Sequence, residues 1–251
     1  MTPLIVANWK MNPQNLAEAK RLFNSVKRDS KNTKNVEVVI CPPFVYLSLI
    51  KQFNNLTIKL GAQDCFWMEK GAYTGEISPL MLKGLGCQYV IIGHSERRRL
   101  GEPDEIIKKK IKAALKVKLN PIFCIGETEE ERKKGETQNI LKSQIEKGLE
   151  KIPKRQIPEI VIAYEPVWAI GSGKPCDLDE AQTLGLLIRK IIAHLFSPII
   201  SQNLRILYGG SLGRKNARDY LKEAHFQGLL VGGASLDPKE FVQIVKAVSE
   251  A

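Results

Sequence analysis

Cysteine is scarce in this sequence and scattered. The five residues, Cys41, Cys65, Cys87, Cys124 and Cys176, are odd in number and form no C-x-x-C pair. That pattern speaks against structural zinc or a disulfide framework and for free thiols in a reducing cytoplasm. No apolar run approaches the ~20 residues that a membrane-spanning helix needs. The opening segment Met1-Thr2-Pro3-Leu4-Ile5-Val6 lacks the basic region and cleavage site of a secretory signal, so a cytoplasmic location is expected. No G-x-G-x-x-G turn follows the first apolar run, which weakens the case for an open, doubly wound sheet. The lysines are not interleaved with aromatics as in a single-strand-binding groove, and nucleic acid is not an expected partner.

An apolar fraction of 43% is ample for a packed core. The formal charge of +11 leaves two readings open. One is a field that draws in anionic ligands. The plainer one is lysine-rich helix surfaces, because clusters such as Lys108-Lys109-Lys110 and Lys133-Lys134 neighbour glutamates such as Glu129-Glu130-Glu131.

One unit recurs along the chain. Short, nearly continuous apolar runs lie at residues 4–7, 36–40, 58–62, 89–92, 121–125, 160–164, 204–208 and 229–231. Such runs suit parallel strands buried on both faces. Helical spacing links Leu16, Ala19, Phe23 and Val26, then Ile107, Ile111, Ala114 and Leu115, then Leu184, Ile188, Ile191 and Leu195. Asp237-Pro238 supplies an N-cap and a first-turn proline for a final helix carrying Phe241, Ile244, Val245 and Val248. Weaker helical signals follow Pro43 and span Pro79 to Lys83. Eight strand–helix alternations in ~250 residues predict an α/β fold, a (β/α)8 barrel forming one domain over residues 1–251.

In such a barrel the functional residues stand at the C-terminal ends of the strands. Asn8 and Lys10 follow the first strand; His94, Ser95 and Glu96 follow the fourth; Glu165 follows the sixth; Gly209-Gly210-Ser211 and Gly232-Gly233 follow the last two. This set can move a proton next to a carbonyl on a phosphorylated substrate. Pro166 biases Glu165 toward extended backbone. Gly171-Ser172-Gly173 then offers a mobile, anion-accepting turn. His194 lies in a helical pattern and His225 just before the last strand, where structural roles are expected.

The segments Asn8-Trp9-Lys10-Met11-Asn12, Gly93-His94-Ser95-Glu96-Arg97-Arg98, Ala163 to Lys174, Tyr208-Gly209-Gly210-Ser211 and Val231-Gly232-Gly233-Ala234-Ser235-Leu236 resemble those of the triosephosphate isomerase family. The resemblance runs from residue 4 to about residue 248. It implies isomerisation of dihydroxyacetone phosphate and D-glyceraldehyde 3-phosphate through an enediolate, in glycolysis and gluconeogenesis, with no cofactor and no metal. By the family's established pattern, Glu165 would be the base and neutral His94 the electrophile. Lys10 and Asn8 would stabilise the substrate oxygen. Glu96 would hold Lys10 or relay a proton, unless it merely pairs with Arg97 or Arg98. Gly171, Ser211, Gly232 and Gly233 would hold the phosphate by their N–H groups. The long connection 64–78, with Thr74, would insert into a second copy and make a homodimer. A barrel that binds a phosphorylated metabolite or a polyanion without catalysis is the alternative. The sequence also departs from the family's habit at Ser172, Pro175, Asp64 and Leu100, where threonine, a residue other than proline, asparagine and an aromatic are more usual.

Overall fold

The computed structural model describes residues 1–31, 33, 35–53 and 58–250. The domain expected over 1–251 therefore includes positions 32, 34, 54–57 and 251, which lie outside the described residues. Eight strands form the centre: β1 (Leu4–Asn8), β2 (Glu37–Cys41), β3 (Lys59–Ala62), β4 (Cys87–Ile92), β5 (Asn120–Ile125), β6 (Val161–Tyr164), β7 (Arg205–Tyr208) and β8 (Gly228–Val231). Each pairs in parallel with the next, and β8 returns to β1, so the sheet closes on itself. This is the (β/α)8 barrel that the alternating pattern predicts.

The helices on the outside are α1 (Leu16–Asp29), α2 (Phe44–Phe53), α3 (Pro79–Gly84), α4 (Ser95–Arg99), α5 (Asp104–Lys116) and α6 (Glu129–Lys133). They continue with α7 (Thr137–Gly148), α8 (Leu178–Leu195), α9 (Pro198–Asn203), α10 (Ala217–Lys222) and α11 (Pro238–Ser249). Both weak helical signals are helices, α2 and α3. The starts follow local chemistry. Asn15 accepts the Glu18 N–H at 3.0 Å ahead of α1, and Asp237 accepts the Lys239 N–H at 2.8 Å ahead of α11. The apolar periodicity gave no sign of α6 and α7 for a plain reason: α6 buries no residue, and α7 buries only Leu141, Ile145 and Gly148.

The near-continuous apolar runs have a simple geometric meaning. Successive strand side chains point to opposite faces. Leu4 and Val6 belong to the cluster inside the barrel, with Val39, Tyr89, Ile91, Ile122 and Leu207. Ile5 and Ala7 face outward and pack with the helical residues Phe23, Val26, Phe241 and Val245. Neither face meets water, so neither can carry alternating polar residues.

Candidate active site

Register places the strand ends at one level. Glu165 N–H donates to Ile125 O at 2.8 Å, and Gly209 N–H donates to Tyr164 O at 2.8 Å, so the peptide joining Tyr164 to Glu165 is held from both sides, by β5 and by the residue after β7. A cavity of about 450 Å³ opens at this end. Asn8, Lys10, His94 and Glu165 line it on one side, and Gly171, Ser211, Gly232 and Gly233 on another. Groups up to 225 positions apart thus share one space. Glu96 does not line the cavity but stands behind it.

Glu165 is 2% exposed and His94 6%. The Glu165 carboxylate accepts the Ser95 N–H at 3.2 Å and faces His94 Nε2 at 3.1 Å. His94 Nδ1 accepts the Glu96 N–H at 3.2 Å. An Nδ1 that accepts leaves the ring proton on Nε2, the nitrogen turned to the cavity. This arrangement follows from α4, which begins at Ser95 and points its first N–H groups at both side chains.

Lys10 takes a left-handed backbone, φ 54°, rare for a residue with a side chain. Its N–H donates to Asn8 Oδ1 at 3.1 Å, and its carbonyl accepts from Gln63 Nε2 at 2.8 Å. Gln63 also donates to Cys41 O at 2.9 Å, tying the turn after β1 to β2. The Lys10 ammonium meets Glu96 Oε1 at 2.6 Å. Burial pushes the Glu96 carboxyl up, but the hydrogen bond and charge of Lys10 prevail and leave it below the usual glutamate range. Arg97 and Arg98 turn instead to Glu102 and Asp104, so Glu96 is not their ion-pair partner.

The segment over the cavity is anchored at both ends. At one end Trp168 Nε1 donates to Glu127 Oε1 at 2.8 Å, and the Arg132 guanidinium lies 4.0 Å from the Trp168 ring centre. At the other, the Cys176 N–H donates to Tyr208 Oη at 3.0 Å, and Tyr220 Oη donates to Cys176 O at 2.5 Å. Gly171 and Gly173, both at positive φ, form the exposed tip. Ser172 Oγ donates to Ala169 O at 2.9 Å and accepts the Lys174 N–H at 3.0 Å, which is what its hydroxyl does in place of threonine's.

The strand-end rule would also have found Gly126-Glu127 after β5, a site that sequence reading passed over. A Cβ on Gly126 would lie 1.8 Å from Glu165 O. The Gly126 peptide is gripped on both sides by Gln144, which accepts its N–H at 2.8 Å and donates to its carbonyl at 3.1 Å. Glu127, fully buried, also receives Tyr164 Oη at 3.2 Å. Burial pushes its carboxyl up. Gln63 and Gln144 left no such signal, since a glutamine after a strand or within a helix is commonplace.

Asp64 has a partner that sequence alone did not reveal. Its carboxylate takes the Lys110 ammonium at 2.7 and 2.8 Å, and Lys110 is only 2% exposed. Glu102 joins at 2.6 Å from Lys110, and Arg97 Nε lies 3.3 Å from Asp64. A charged aspartate therefore balances a buried lysine where an amide would not. The five cysteines are free and buried, and among the described residues no group of three or more His, Cys, Asp or Glu side chains could hold a metal ion.

Fold and cavity define the class: a (β/α)8-barrel protein with a carboxylate, an imidazole and an ammonium group at the C-terminal mouth, beside glycine-rich turns. A family model described as triosephosphate isomerase matches residues 3–248. Triosephosphate isomerase from Dictyoglomus turgidum is 48% identical over 246 residues, covering 97% of this chain and 98% of the relative. The same enzyme from Dictyoglomus thermophilum is 48% identical over 246 residues, with the same coverage. That from Alkaliphilus oremlandii is 46% identical over 245 residues, 97% of this chain and 98% of the relative. The chain belongs to the triosephosphate isomerase family, whose members are isomerases.

Proposed function

We propose that Glu165 carries the proton in the interconversion of dihydroxyacetone phosphate and D-glyceraldehyde 3-phosphate. Its carboxylate removes a proton from the carbon beside the carbonyl and returns it to the neighbouring carbon. The electron pair left behind becomes the enediolate. His94 Nε2–H donates a hydrogen bond to the oxygen where negative charge grows, and the Lys10 ammonium and Asn8 amide face the same charge. Glu96 keeps the ammonium of Lys10 in place. The Gly171, Ser211, Gly232 and Gly233 N–H groups receive the phosphate. The former carbonyl oxygen gains a proton and the neighbouring hydroxyl oxygen loses one as the carbon-bound proton is returned, so carbonyl and hydroxyl exchange places and no external oxidant or reductant enters the balance.

The observation that carries this reading is the convergence of Lys10, His94 and Glu165 on one cavity. The Glu165 carboxylate holds Ser95 N–H and His94 Nε2, and of these His94 Nε2 is the donor that the substrate oxygen needs. Binding requires the carboxylate to give up His94 and turn to the carbon. A coupled assay with glyceraldehyde 3-phosphate tests the reading. Rapid turnover that is lost in Glu165→Gln supports it. Tight phosphate-ester binding without turnover would instead favour the non-catalytic barrel.

The working form is proposed to be a homodimer of single-domain chains, in the cytoplasm. Large apolar side chains stand exposed in the segments after the first four strands: Met11 at 85%, Val45 of α2 at 75% and Leu100 at 77%, together with Tyr73 and with Leu80 and Met81 of α3. Exposed apolar side chains on the segments after four of the eight strands call for cover. The loop 64–78, with exposed Thr74, supplies a protrusion for a second copy. Sedimentation equilibrium decides between dimer and monomer. No described helix is long and apolar enough to cross a membrane.

A further inference from the structure

Helix α7 turns Leu141, Ile145 and Gly148 to the core, and Gln144 shares that side of the helix with them. The helix lies close against β5: a Cβ at position 148 would fall 2.3 Å from Phe123 Cζ, and glycine there permits the approach. An amide on this face therefore reaches the residue that follows β5. We propose that Gln144 is a positioning residue for the base: by clasping the backbone of Gly126 it sets where Glu165 stands. The proposal builds on the reading of Glu165 as the base.

Glu165 is seated on residues 125–127. Its N–H donates to Ile125 O at 2.8 Å, and the Val167 N–H donates to Glu127 O at 3.1 Å. Between these two bonds Gly126 presses on the Glu165 carbonyl, so closely that a Cβ on Gly126 would stand 1.8 Å from the oxygen. No side chain cushions that contact, and a close-packed interior passes a displacement on. A shift of Gly126 is thus a shift of Glu165. What fixes Gly126 is Gln144. The pairing of β4 with β5 runs only to Phe123, and beyond it the Gly126 N–H donates to Gln144 Oε1 at 2.8 Å while Gln144 Nε2 donates to Gly126 O at 3.1 Å. Buried backbone groups need partners, and an amide side chain serves a donor and an acceptor at once. Methionine at 144 would serve neither, and a glutamate carboxylate only the N–H. The consequence is chemical, because the base must stand within hydrogen-bond reach of its proton, and a misplacement of about 1 Å can cost ~10²-fold in rate.

The test is steady-state kinetics of Gln144→Met with D-glyceraldehyde 3-phosphate, with kcat taken per folded molecule and inorganic phosphate as a competing ligand. Turnover should fall at least ~10-fold, while KM and the inhibition constant of phosphate stay within about twofold, because the glycine turns that receive phosphate are untouched. Leu141→Ala, which loosens the same helix face without reaching Gly126, is the control for stability alone and should keep kcat within about twofold. Gln144→Glu preserves length and one of the two bonds, and should lose at least ~3-fold in kcat; it decides the matter if the methionine variant does not fold. Unchanged kcat in the folded Gln144 variants overturns the proposal. So does an equal loss in Leu141→Ala, or a loss carried by KM and phosphate affinity. A parent that does not turn over glyceraldehyde 3-phosphate would strike the reading of Glu165 itself, whereas an active parent with an unaffected Gln144 variant strikes only the positioning role.

Discussion

The two mouths of the barrel carry similar groups and use them differently. At the N-terminal mouth, Glu37 accepts Lys59 Nζ at 2.8 Å, Arg205 Nη1 at 3.1 Å and the Tyr89 hydroxyl. Arg205 also reaches Tyr89 Oη at 3.3 Å. These side chains, from β2, β3, β4 and β7, use their hydrogen-bonding capacity on one another and form a plug. At the C-terminal mouth, Lys10, His94 and Glu165 surround open space, and their partners are only partly committed. Charge that is mutually satisfied holds a fold together. Charge held in place with capacity left over can act on a ligand.

If that contrast is right, changes at the two mouths should separate activity from stability. The largest effect belongs to Glu165→Gln. Turnover should fall by at least ~10²-fold, or about 2.7 kcal/mol of barrier, because general-base catalysis supplies about 10²–10⁴-fold. The urea midpoint should stay near its original value. Parallel losses of stability and rate would erase the distinction between the mouths.

Glu37→Gln is the mirror experiment. Hydrogen bonds to charged groups are each worth about 1.5–3 kcal/mol, and a loss of about 2 kcal/mol in urea unfolding is expected. Turnover per folded molecule should not change; a matching fall in turnover would show that the plug also positions the site. Acid should act in the same direction. Burial pushes the Glu37 carboxyl up, but hydrogen bonds from Lys59 and Tyr89 and the charges of Arg205 and Lys59 outweigh it and hold it below the usual glutamate range. A group with a lowered folded pKa contributes fully above its unfolded value, and the contribution disappears as pH falls through the folded value. Stability measured from pH 6 down to pH 3 should therefore drop less steeply in Glu37→Gln than in the parent. Identical slopes would remove Glu37 from the account.

The smallest effect is expected at the exposed hinge. Pro175 lies between Lys174, whose N–H is held by Ser172, and Cys176, whose N–H is held by Tyr208. Pro175→Thr frees one φ angle without touching either bond. A change of about two- to threefold in turnover is expected, with no shift in midpoint. Equal melting loss at an unchanged rate would count against a role in lid motion.

Much of this was legible in the residues. Eight doubly apolar runs announced parallel strands covered on both faces, and their alternation with helices eight times over announced the barrel. Asn8, Lys10, His94, Glu165 and the last two glycine turns were legible because strand ends mark the mouth. Glu127 and Gly126 obey the same rule and were passed over. Gln63 and Gln144 escaped for another reason. Each acts by gripping a backbone peptide that is distant in sequence, and an amide side chain carries no mark of its target. The pairing of Asp64 with Lys110 was likewise invisible, since 46 residues separate them and each alone suggests a solvated surface.

The linear order of apolar and polar residues was enough to determine the number of strands, their burial and the end of each at which chemistry stands. That follows because periodicity and strand ends are local properties. Which partner each charge found was decided only on closure of the barrel. The same lysine or glutamate became plug, buried balance or cavity lining according to what β-strand register brought within about 3 Å of it, and hydrogen bonding and charge pairing depend on that distance rather than on position along the chain.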